Sequence, residues 1–115
     1  MKEMMIPAAW DRLDPISEAI DRGLAEQGVP TVLRMRTQLV LEEFFSAVIA
    51  SPGADGAQIR CVFPAPWTVL LQCRSSRPEF APDWTDLQAL DSAACTYGLK
   101  LALSENACQI AVGRK

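Results

Sequence analysis

The chain has 115 residues, half of them apolar, with 14 acids, 11 bases and no histidine. That is enough apolar material for one compact domain over 1–115 to bury a core without disulfides or a structural metal. A net charge of −3 with interspersed signs is not the clustered basic surface that nucleic acid requires. Without histidine, a Ser-His or Cys-His catalytic pair and phosphorylation on histidine are excluded.

What acidity there is falls early: residues 1–56 hold nine acids and five bases, the remainder five acids and six bases. No apolar run approaches the roughly 20 residues of a membrane span. Met1 to Pro7 also lacks the apolar stretch of a signal peptide, so a cytoplasmic protein with no membrane contact is expected. Cys61, Cys73, Cys95 and Cys108 are spread singly, with no C-x-x-C pair. Such spacing suits buried thiols that pack as small hydrophobes better than a zinc site.

In chain order, Met4 to Ala9 reads as a short edge strand, because Pro7 cannot donate to a ladder. Asp14-Pro15 has the form of a helix start, and Ile16, Ile20 and Leu24 recur at helical spacing until Gly28 and Pro30 stop the element. Thr31 is placed to cap a second helix reaching about Ala50. Its first half sets Val32, Met35 and Leu39 against Arg34, Arg36 and Gln38, which makes those three apolar residues the expected inward face. From Leu39 onward it is nearly all apolar, the pattern of a central buried helix.

Past the Ser51-Pro52-Gly53 break the period becomes two. Ile59, Cys61 and Phe63 form one strand, and Trp67, Val69, Leu71 and Cys73 the next, with Pro64-Ala65-Pro66 between them. Arg74 to Asp83 reads as a loop. Thr85 and Gln88 have capping-box spacing before a helix marked by Leu87, Leu90, Ala94 and Tyr97. Leu99 to Leu103 and Cys108 to Val112 make a terminal hairpin. The order β-α-α-β-β-α-β-β implies an α+β fold: a two-layer sandwich with helices on one face of a mixed, mostly antiparallel sheet.

Two places could carry chemistry. Glu42 and Glu43 interrupt an apolar helix, where a carboxylate is costly unless it faces solvent or has work as a base or metal ligand. Arg74-Ser75-Ser76-Arg77 follows a strand, where a loop could bind an anion, accept a phosphate on serine, or simply be solvated. Trp10, Trp67 and Trp84 read as packing residues, and Arg114-Lys115 as a solvated tail.

Taken together, these segments resemble the histidine-kinase-like ATPase (GHKL) domain, in its anti-sigma-factor and serine-protein-kinase branch. Leu39-Val40-Leu41-Glu42-Glu43-Phe44-Phe45-Ser46-Ala47 is similar to that family's L-x-L-E-E-x-x-x-N helix. Ser75-Ser76-Arg77-Pro78-Glu79-Phe80-Ala81-Pro82 is similar to its D-x-G-x-P-F-D-P loop. The resemblance matches Glu43 to the catalytic glutamate. It also places Ala47 where a magnesium-binding asparagine stands, Ser75 where an aspartate reads adenine, and Arg77 where a glycine leaves room for the base. No glycine occurs between Gly56 and Gly98 to form a phosphate lid. What this implies is a regulatory module that resembles an anti-sigma factor, has lost nucleotide binding, and docks a protein such as a sigma factor or a small antagonist. Either the acidic first helix or the face around Arg74 to Asp83 would make the contact. The alternative is an active serine-protein kinase using Mg-ATP through Glu43. A third possibility is a pocket reused for another small molecule.

Overall fold

The computed structural model describes residues 3–96 and 98–113, with side chains throughout except at 3–5 and 91–96. Tyr97, Arg114 and Lys115 lie outside the described residues, as do the side chains of Met4, Ala94 and Cys95.

The elements run β1 (Glu3–Pro7), α1 (Leu13–Glu26), α2 (Thr31–Ile49), β2 (Ala57–Ala65), β3 (Thr68–Ser75), α3 (Thr85–Thr96), β4 (Leu99–Leu103) and β5 (Ala107–Val112). The strands form one sheet in the order β1-β2-β3-β5-β4, so β1, with Pro7, is an edge strand as expected. Every pairing in it is antiparallel, where a mixed sheet was expected. Each connection either is a hairpin or returns the chain antiparallel to a neighbour, so no parallel pair arises.

Period-two patterning sorts the sheet into two faces. Cys61, Leu71, Cys108 and Leu103 stand in register across β2, β3, β5 and β4, and Val69, Ile110 and Leu101 form a second such row. These rows join the helix residues in one core, while Gln58, Arg74, Lys100 and Gln109 are exposed. Cys61, Cys73 and Cys108 are buried and in no disulfide, and burial pushes the Cys61 and Cys73 thiols up to about 12. They pack as small hydrophobes and are poor nucleophiles.

In α1, Ile16, Ile20 and Leu24 face the core. The helix starts at Leu13, ahead of the Asp14-Pro15 signal, because a 3-10 turn over Trp10–Arg12 feeds straight into it. It stops where Gly28 takes a left-handed φ of +83° and the Val29 N–H bonds back to the Leu24 carbonyl at 3.1 Å. Pro30, not Thr31, precedes the first helical residue of α2, and its carbonyl accepts the Leu33 and Arg34 amides at 3.1 Å.

Helix α2 lies with a different face inward than its first half implies. Thr37, Val40, Leu41, Phe44, Phe45 and Val48 are buried, whereas Val32, Met35 and Leu39 are 51%, 64% and 52% exposed. Burying a large apolar side chain is worth ~1.5–3 kcal/mol, so the fully buried Leu41, Phe44 and Phe45 outweigh what those three could gain at a helix edge. Phe44 stacks on Trp84 with ring centroids 5.1 Å apart, which holds the start of α3 against α2. No described helix is long and apolar enough to cross a membrane.

The β2–β3 hairpin also departs from the expected strand limits. Trp67 is in the turn, not in β3, with φ +57°, a conformation unusual for a bulky residue. Tertiary bonds hold it there. Its amide donates to Gln27 Oε1 at 2.5 Å, its indole N–H donates to the Gln27 carbonyl at 2.9 Å, and its carbonyl accepts the Val112 amide at 2.8 Å. Trp67 therefore ties the hairpin to the α1–α2 junction and to the end of β5.

Candidate functional site

The loop after α2 (51–56) and the loop after β3 (76–84) pack against each other. Glycine is needed where they meet. Gly53 has φ +77°, and a Cβ there would lie 2.7 Å from the Arg77 Cβ. A Cβ on Gly56 would lie 2.8 Å from Ser76 Oγ.

Polar groups fasten this contact. Ser75 Oγ donates to the Gly53 carbonyl at 2.8 Å and accepts the Arg77 amide at 3.0 Å. Arg77 Nη2 meets Asp55 Oδ2 at 2.7 Å. Ser51 Oγ accepts the Ala81 amide at 2.9 Å and donates to the Pro52 carbonyl at 3.1 Å. Ser75, at the end of β3, and Arg77, just past it, thus clamp residues 51–56 to the sheet.

Two cavities flank the Phe80–Pro82 segment. The smaller, about 200 Å3, is lined by Ser46 and Ala47 of α2, Ala50, Ser51 and Pro52 just after it, and Ala81, Asp83 and Asp86. Ala47 presents a methyl group to it, and the charged residues in the lining are both carboxylates. The Thr85 hydroxyl and amide, donating to Asp83 at 2.5 and 3.0 Å, hold the Asp83 carboxyl below the usual carboxylate range, so it stays ionised. This Asp83–Thr85 arrangement opens α3, where a Thr85–Gln88 capping box was expected. The second cavity, about 420 Å3, lies between Ser75, Arg74, the Phe80–Pro82 segment and the β4–β5 turn at Glu105 and Asn106.

Among the sequence candidates, Ser75 and Arg77 come together, and Ala47 reaches the same loop pair through the smaller cavity. Glu43 is half-buried on α2 and is not among the residues lining either cavity. Glu42 is exposed, so of the two carboxylates it is the plain surface residue. Trp84 is buried and packed, but Trp10 is 54% exposed rather than a packing residue.

Sequence reasoning missed the outer face of α2. The signal for it was present: Val32, Met35 and Leu39 share the helix with a second apolar set, Leu33, Val40, Leu41 and Phe44, and one sheet can cover only one of them. No protein-family model matches the chain, and comparison with curated proteins gives no match.

Proposed function

We propose that this chain is a regulatory protein-binding module on a degenerate histidine-kinase-like ATPase scaffold, resembling an anti-sigma factor that has lost nucleotide binding. One observation carries the reading: Ser75 and Arg77, at two of the matched nucleotide positions, are bonded to other groups of the chain. Ser75 spends its hydroxyl proton on Gly53 and accepts the Arg77 amide, and the Arg77 guanidinium is bonded to Asp55.

Size and charge support the same reading. The cavity at Ala47, about 200 Å3, is below the roughly 300–1,000 Å3 typical of small-molecule sites, whereas the one at Ser75, about 420 Å3, is within that range, so at Ser75 the reading rests on the engaged hydroxyl and not on size. With Asp83 and Asp86 in its lining and no base, it would repel a triphosphate. Ala47 offers no oxygen with which a magnesium ion could offset that repulsion. The five antiparallel strands and three helices of the described residues share the α+β class with the fold the resemblance implies, though that fold's sheet is mixed and many unrelated functions share this class.

The test is affinity capture from native cell extract with the purified chain, with and without millimolar Mg-ATP. A stoichiometric protein, identified by mass spectrometry and retained equally in both conditions, is the expected result. Recovery of none would sink the reading. Capture only with Mg-ATP would favour the nucleotide-dependent kinase alternative.

A further inference from the structure

Four large apolar side chains among the described residues are more than half exposed, and all precede residue 40: Trp10, Val32, Met35 and Leu39. The last three recur at i, i+3 and i+7, so they form one stripe along the outer side of α2. None of the four is in the Arg74–Asp83 loop, the other surface at which a partner could dock.

The stripe sits on a fixed platform. Arg34 Nε bonds Asp21 Oδ1 at 3.0 Å, Gln38 Nε2 donates to the Ser17 carbonyl at 3.3 Å, and Ser17 Oγ donates to Gln38 Oε1. These bonds set α1 alongside α2, so the exposed Asp14 and Glu18 of α1 flank the stripe on one side. Exposed Glu42 follows it along α2. The platform is acidic on balance: residues 10–46 hold seven acids and four bases, and with the Arg34–Asp21 pair set aside six acids remain against Arg12, Arg22 and Arg36, the last bordering the stripe between Val32 and Leu39.

We infer that the outer face of α1 and α2 docks a basic amphipathic helix of a partner protein, its apolar side chains laid on Val32, Met35 and Leu39 and its lysines or arginines set against Asp14, Glu18 and Glu42. This rests on the binding-module reading and names the surface and chemistry of that contact. The apolar stripe supplies the buried centre and the acidic border selects the charge of the partner, as in helix-on-surface recognition generally. A second copy of this chain is a poor occupant, because apposing two such faces sets acidic border against acidic border.

The test places a photo-crosslinking amino acid at Met35 in one full-length variant and at Ser76 in another, in native cell extract, and sequences the crosslinked peptides. The expected product joins position 35 to a partner segment with apolar residues at three- and four-residue spacing and net positive charge. Leu39→Ser should cut its yield at least tenfold, as should raising the salt from 0.1 to 0.5 M, while Leu39→Ser leaves the melting temperature unchanged. Crosslinks from position 76 alone would overturn this surface and leave the module reading standing. Crosslinks from neither position would count against the module itself. A product joining position 35 to another copy of the chain, or to a neutral or acidic segment, would also overturn the inference.

Discussion

The loop pair around Ser75 and the first half of α2 contrast in every chemical respect. The loops are polar, and their hydroxyls and guanidinium are bonded to neighbouring loop groups. The α2 stripe is apolar and more than half open to water. A polar cluster with satisfied partners works as a structural clasp, whereas apolar surface left in water is unfinished burial. Attention drawn to arginines and serines by their chemistry belongs, on these geometries, partly to a leucine and a methionine.

The sharpest way to test that contrast uses two leucines on one helix. Leu41 is fully buried and Leu39 is half exposed. Leu41→Ala should cost about 2–5 kcal/mol in denaturant unfolding. Leu39→Ala should stay within about 0.5 kcal/mol of the parent. Equal costs would mean that the helix is rotated from the orientation described.

Next in size is the clasp. Gly53→Ala forces a side chain into the left-handed region, at about 1–2 kcal/mol, and against Arg77 besides. Ser75→Ala removes the hydroxyl that serves two hydrogen bonds and should cost roughly 1–2 kcal/mol by thermal or denaturant unfolding. If Ser75→Ala were neutral, the clasp would be incidental and Ser75 would be available for other work.

Smaller effects belong to the solvent side. Arg77 and Asp55 are both more than half exposed, so Arg77→Ala should cost less than about 1 kcal/mol, and less still in high salt. Asp83 has a depressed carboxyl pKa, so its bonds to Thr85 support the start of α3 above the ordinary carboxylate range and are lost as pH falls through the folded value. An NMR titration of the Asp83 carboxyl carbon should give a midpoint below that of a model peptide. A midpoint at or above the peptide value would remove the cap from Thr85.

The sequence carried the element order, because the period of its apolar residues switches between 3.6 and 2 at points marked by glycine and proline. Ile16, Ile20 and Leu24 point inward as their spacing implies, and β4 and β5 pair around Glu105-Asn106 as a hairpin. The orientation of α2 was not legible. Its apolar residues nearly encircle it, so only packing against α1, α3 and the sheet decides which face is covered. Antiparallel closure of the whole sheet was likewise a matter of which strand returns beside which. At the candidate site, the family resemblance singles out Ala47, Ser75 and Arg77 but says nothing of their contacts. The bonds from Ser75 to Gly53 and from Arg77 to Asp55 each span 22 residues, beyond the reach of any local pattern.

Thermal unfolding with and without millimolar Mg-ATP tests the loss of the nucleotide site most directly. A ligand at about 100 times its dissociation constant adds roughly 2.7 kcal/mol, which for a chain of this size raises the melting temperature by about 10 °C. The engaged Ser75 and Arg77, the methyl group of Ala47 and the carboxylates at the small cavity predict no shift. A rise of that size, abolished by Glu43→Ala, would contradict them and establish a working nucleotide pocket.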